Sequence, residues 1–168
     1  MPASWSHPGA DKKCDLVFIR DYDEVDDDLI KIPFAVDTMV AVLPARHPLA
    51  GQKNIPLQML ADEDFLLVET HTVLCRLAIR ACEQSGFKPK VVYTDHKLEN
   101  LFDLVIKGMG VALLMKKLAL YSSSPEIAIV DVTPSMSTQI CLCYLKGTEL
   151  SDAVMHFILC TESLKKQL

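Results

Sequence analysis

No stretch of the 168 residues approaches the run of roughly 18 apolar residues that a membrane-spanning helix needs. Residues 1–13 lack the apolar core of a secretory signal, and their Pro, Ser, Gly and charged content reads as a flexible leader. Positive charge is also short: 17 Lys and Arg against 22 Asp and Glu leave a formal net charge of −5. A stand-alone nucleic-acid binder carries a basic face or stripe, so this chain is not expected to hold DNA or RNA by itself. Its six cysteines include no C-x-x-C pair, which leaves both a metal knuckle and a compact disulfide framework unsupported. Reduced core thiols in a cytoplasmic protein are the plain expectation. Neither a Walker phosphate loop nor a G-x-S-x-G nucleophile elbow occurs. No cofactor, metal or catalytic residue is therefore expected, and the chain does not read as an enzyme.

Apolar material is plentiful. Half of the residues are hydrophobic and 23% are charged, enough for a packed core and too apolar for a disordered chain. Residues 15–20 (DLVFIR), 64–68 (DFLLV) and 111–115 (VALLM) are short apolar runs suited to strands buried on both faces. Residues 21–28 read as an acidic loop, 29–36 and 37–43 as two strands, and 44–52 (PARHPLAGQ) as a turn-rich crossover between lobes. Residues 55–60 offer a helical turn or two. From Thr72 the period changes: Val73, Leu74, Leu77, Ala78, Ala81 and Cys82 recur at helical spacing, with Thr72 placed to cap the start and Gly86 the end. Leu98, Leu101, Phe102, Val105 and Ile106 mark a second helix stopped by Gly108. Strands at 91–93, 127–132 and 138–145 and a final helix from about Ser151 complete an alternation that predicts parallel βαβ units and an α/β fold.

Few residues stand out chemically. Gly108-Met109-Gly110 follows a helix and precedes a strand, the reverse of a nucleotide-binding loop, so a helix cap with a tight turn is the plainer reading. Thr70, His71 and Thr72 join a buried strand to a helix N-terminus, where free N–H groups favour an anion; simple capping is the competing reading. Arg20 closes a strand and could pair bidentately with a carboxylate, or form a surface ion pair with Asp21, Asp23 or Glu24. His47, His96 and His156 show no ligand spacing and read as surface or internally satisfied groups.

The order of landmarks resembles the LysR-type transcriptional regulators. DLVFIR resembles that family's "D-l-a-i" strand, and residues 37–50 (DTMVAVLPARHPLA) its strand running into an HPLA turn. DFLLVETHT resembles the "pfil-e" strand with its ligand loop, and residues 81–93 (ACEQSGFKPKVVY) the helix, "G-f-x-P" turn and strand. Residues 100–115 (NLFDLVIKGMGVALLM) are similar to "lV-x-G-x-G-i-a-l-L-P", with Met115 where the family usually has Pro. The resemblance spans roughly residues 15–164. It implies a two-lobed, type 2 periplasmic-binding-protein-like fold, with residues 47–118 as the second lobe and residues 14–46 and 119–168 as a discontinuous first lobe. Arg20, Thr70, His71, Thr72 and Met109 would contact a small effector, often a carboxylate in that family, between the lobes. The family places a winged helix-turn-helix domain and two further βα units ahead of this region, so the first lobe is expected to be incomplete. Homo-oligomers are implied, with DNA held only through the helix-turn-helix domain and no membrane partner. The alternative is a solute-binding protein of a transporter with the same fold.

Overall fold

The computed structural model describes residues 14–21, 28–122 and 124–165. Residues 1–13, read as a leader, and 22–27, most of the expected acidic loop, lie outside the described residues. Two compact units form, one of residues up to Val36 together with Thr138 onward, the other of Asp37–Ser137.

The first unit holds β1 (Val17–Asp21), the start of β2 (Leu29–Pro44), β8 (Ser137–Leu145) and α4 (Asp152–Lys165). Its strands lie in the order β1-β8-β2, with β1 and β8 antiparallel and Phe18 opposite Leu142. Lys31 donates to Asp21 at 2.9 Å, and the Phe18 and Phe34 rings meet edge-on with centroids 5.2 Å apart. Phe18, Val36, Met155, Phe157, Leu159 and Leu164 remain substantially exposed. Of α4, only Thr161 is fully buried.

The second unit carries most of the core. Its sheet runs β3-β7-β2-β6-β4-β5, built from β3 (Asn54–Pro56), β4 (Asp64–Val68), β5 (Lys90–Asp95), β6 (Val111–Met115), β7 (Ile127–Thr133) and the end of β2. Strands β3, β7, β6, β4 and β5 share one direction, and β2 alone opposes them. The parallel β4-α1-β5-α2-β6 run matches the sequence expectation, with α1 at Val73–Gln84 and α2 at Leu98–Ile106. Val40, Ala41, Val42, Leu43, Phe65, Leu66 and Leu67 are essentially inaccessible, as expected of central strands covered on both faces.

The structure corrects several expectations. Residues 29–36 and 37–43 form one strand, because β2 continues through Asp37 and finds partners in β8, β6 and β7. Residues 44–52 lie wholly inside the second unit as a surface turn. There His47 Nδ1 accepts the Leu49 N–H at 3.2 Å, leaving Nε2 to donate to Glu63 at 3.1 Å. The short strand β3 and the four-residue α3 (Lys116–Ala119) carry too little pattern to be read from sequence. The glycine turn behaves as read: Gly108 has φ +73, its N–H reaches Val105, and the Met109 N–H reaches Leu104, a Schellman cap on α2. A Cβ at Gly110 would run into the Asp64 carbonyl oxygen, so only glycine allows β6 to start this close to β4.

Candidate functional site

Strands β4, β5 and β6 are parallel neighbours, so their carboxyl ends fall on one edge of the second unit's sheet. In open α/β sheets this is the edge where ligands bind. Four chain segments arrive there. Glu69, Thr70, His71 and Thr72 follow β4, and His96 and Lys97 follow β5. Lys116 and Lys117 follow β6, and Asp37 and Thr38 lie at the same level because Met39 pairs with Met115.

The Thr72 hydroxyl is occupied by the backbone. It accepts the Cys75 N–H at 3.1 Å and donates to the Glu69 carbonyl at 2.7 Å, so Thr72 is the N-cap of α1. Its only donor is spent, and one lone pair remains. The same bonds turn Thr70 and His71 outward, and both are exposed.

Asp95 organises the neighbouring loop. It accepts the Tyr93 hydroxyl at 2.7 Å, the Asn100 amide at 2.7 Å and the Lys97 N–H at 2.9 Å. The Asn100 bond leads these in holding the Asp95 carboxyl well below the usual carboxylate range. The same carboxylate raises the Tyr93 phenol, chiefly through their hydrogen bond. His96 Nδ1 stands 3.7 Å from Glu69 and 3.8 Å from Asp95, linking the loops after β4 and β5. Beyond β6, Asp37 is buried and accepts the N–H groups of Thr38 and Lys117, both at 3.1 Å. Lys116 pairs with Asp131 at 2.7 Å, while Lys117 is exposed.

Met109 does not join this group. It precedes β6, at the edge where β4 begins, and is 57% exposed. Because β6 runs parallel to β4, the turn entering β6 and the loop leaving β4 must lie at opposite ends of the sheet. The sequence reading selects the conspicuous glycine turn. The same strand-end rule that selects Thr70 would have selected Lys116 and Lys117 after β6.

Arg20 lies in the first unit, on β1 opposite Ile140, and its Nη1 donates to the Thr138 hydroxyl at 2.6 Å. Asp21, one of its expected ion-pair partners, bonds Lys31; Asp23 and Glu24 lie outside the described residues. Among the described residues, no group of three or more His, Cys, Asp or Glu could hold a metal ion. No described helix is long and apolar enough to cross a membrane.

The model of the LysR substrate binding domain matches residues 9–164. The chain belongs to this family. Among LysR-type relatives, the transcriptional dual regulator GltC of Bacillus subtilis is 35% identical over 104 residues, 62% of this chain and 31% of GltC. The chain thus spans about a third of that relative's length. The Synechocystis CcmR regulatory domain, solved in complex with 2-PG, superposes with a TM-score of 0.85 at 22% identity, covering 96% of this chain and 78% of that one. The effector binding domain of QuiR in complex with shikimate gives a TM-score of 0.78 at 23% identity, covering 94% and 74%. These likenesses establish the α/β, periplasmic-binding-protein-like fold of LysR effector domains.

Proposed function

We propose that this chain is the effector-sensing part of a LysR-type transcriptional regulator, taking a small carboxylate as its signal. The observation that carries the reading is the polar edge where β4, β5 and β6 end, in a chain matched to the LysR substrate binding domain over residues 9–164. Thr70 and His71 are exposed beside the N-terminus of α1, whose free N–H groups and dipole favour an anion. Lys117 adds a cation to the same edge. Arg20, on β1, is a further candidate contact because a guanidinium pairs bidentately with a carboxylate, and Thr72 serves by shaping the loop. QuiR, with shikimate, supports the carboxylate class.

Such an effector acts by binding one arrangement of the regulator better than another, which shifts how the DNA-binding part of an oligomer is presented. Sensing rather than catalysis fits relatives that are transcriptional regulators, and these relatives do not favour the transporter-linked alternative.

The test is a calorimetric titration of the chain with shikimate and benzoate, each beside its primary amide. Saturable binding of one acid is expected, with the amide much weaker. Arg20→Ala should cost about 2–5 kcal/mol of binding where the charge pair is desolvated. Lys117→Ala should weaken the acid and leave the amide unchanged. Equal binding of acid and amide, or indifference to substitutions at Thr70, His71 and Lys117, overturns the reading.

A further inference from the structure

A recess lies on the second unit, and its lining residues Leu98 and Leu118 follow directly on Lys97 and Lys117. It is a surface groove of about 530 Å³ between α2 and residues 118–122. Leu98, Phe102 and Ile106 form one apolar row of α2 along it, and Leu118 and Tyr121 form the facing wall. Phe102 is nearly buried, whereas Tyr121 is 80% exposed and stands as an open aromatic wall. Glu99 and Asp103 line the same groove, and none of its lining residues is basic.

Of the two carboxylates, Asp103 is placed against local preference, whereas Glu99 sits in the first turn of α2, where the helix dipole favours an anion. They lie four residues apart on one helix, where like charges repel. Asp103 is in the last turn of α2, the end where the helix dipole disfavours an anion. Both are exposed, and neither has an ion-pair partner among the described residues. A cation seated between them would relieve both penalties. The apolar lining favours a cation that carries an apolar body, and the exposed Tyr121 supplies an aromatic ring beside it. The volume suits a small molecule.

We propose that this groove, whose lining includes none of Thr70, His71 and Lys117, binds an organic ammonium ion with an apolar or aromatic body. The body lies on Leu98, Phe102, Ile106 and Leu118, the ammonium group faces Glu99 and Asp103, and Tyr121 closes one side. Nothing in this assignment depends on the effector reading, because Thr70, His71 and Lys117 do not line the groove.

The experiment is a titration of the whole chain, followed by backbone amide NMR, with phenethylammonium, 2-phenylethanol and 3-phenylpropionate. At low salt phenethylammonium should bind about tenfold more tightly than 2-phenylethanol, the sum of two exposed charge pairs. Its shifts should concentrate on α2 and Leu118–Tyr121, and its advantage should shrink as salt screens the pairs. The double substitution Glu99→Gln with Asp103→Asn should abolish the advantage while leaving 2-phenylethanol binding intact. That variant removes a repulsion, so it should fold at least as well as the parent. Binding of 3-phenylpropionate as tight as the amine, retention of the preference in the double variant, or absence of saturable amine binding overturns the proposal. So does concentration-dependent dimerisation that Tyr121→Ala abolishes, which would make the groove an interface between copies.

Discussion

The buried carboxylate of Asp37, on β2, accepts the backbone N–H of Lys117 at the start of α3, 80 residues away in sequence. It also accepts the Thr38 N–H, so one side chain satisfies two backbone donors at the carboxyl edge of the sheet. Asp37→Ala should strand these donors and cost about 1–3 kcal/mol. Asp37→Asn keeps an acceptor oxygen and should cost less. Urea unfolding should show a lower midpoint at unchanged slope; an Ala variant as stable as the parent contradicts the role.

Thr72 separates capping from recognition. Thr72→Ala should destabilise the chain by about 1 kcal/mol with no ligand present, while Thr72→Ser should restore most of the loss. Thr70→Ala, at an exposed position, should leave the stability within about 0.5 kcal/mol of the parent. A stability loss confined to Thr70→Ala would reverse these assignments.

Asp95 supplies a pH dependence whose sign is fixed by its hydrogen bonds. Its folded pKa lies below the ordinary value of 3.8. Its stabilising contribution is therefore fully present above that value and is lost as pH falls through the range beneath it. Asn100→Ala removes the largest cause of the shift. It should raise the Asp95 titration midpoint, read by carboxyl NMR, and make acid unfolding begin at higher pH. An unmoved midpoint would show that Asn100 is not the organising donor.

The thiols should divide by burial. Desolvation pushes Cys82 up to about 12 and Cys143 up to about 11, and it also raises Cys75 and Cys141. Cys14 and Cys160 are exposed. Labelling the native protein with a disulfide reagent at neutral pH should modify these two promptly and the other four only on unfolding. Reaction of Cys82 at the rate of Cys160 would contradict the buried packing of α1.

The first unit should be the sticky one. Phe18, Val36, Phe157 and Leu159 are each 45% exposed or more, and apolar surface of this kind promotes association. Sedimentation should show concentration-dependent self-association, with hydrogen exchange slower in β4 and β6 than in β1 and α4. A clean monomer with equal protection in both units would refute this.

Sequence alone determined the features that depend on short-range pattern. The runs at β4 and β6 are apolar at every position but the first of β4 because both faces are covered, and that pattern is visible in one dimension. Thr72 and Gly108 are helix signals that act within a few residues, and both act as read. Only the tertiary structure decided which ends of these strands share an edge. Met109 enters a strand and Thr70 leaves one, and that order of elements puts them at opposite ends of the sheet once the strands are known to be parallel. The length of β2 was equally hidden, since what unites its halves is pairing with β8, β6 and β7, strands far away in sequence. Asp37 shows the same limit. A lone acidic residue between two apolar strands reads as a break, and it becomes a cap only when folding brings Lys117 within 3.1 Å.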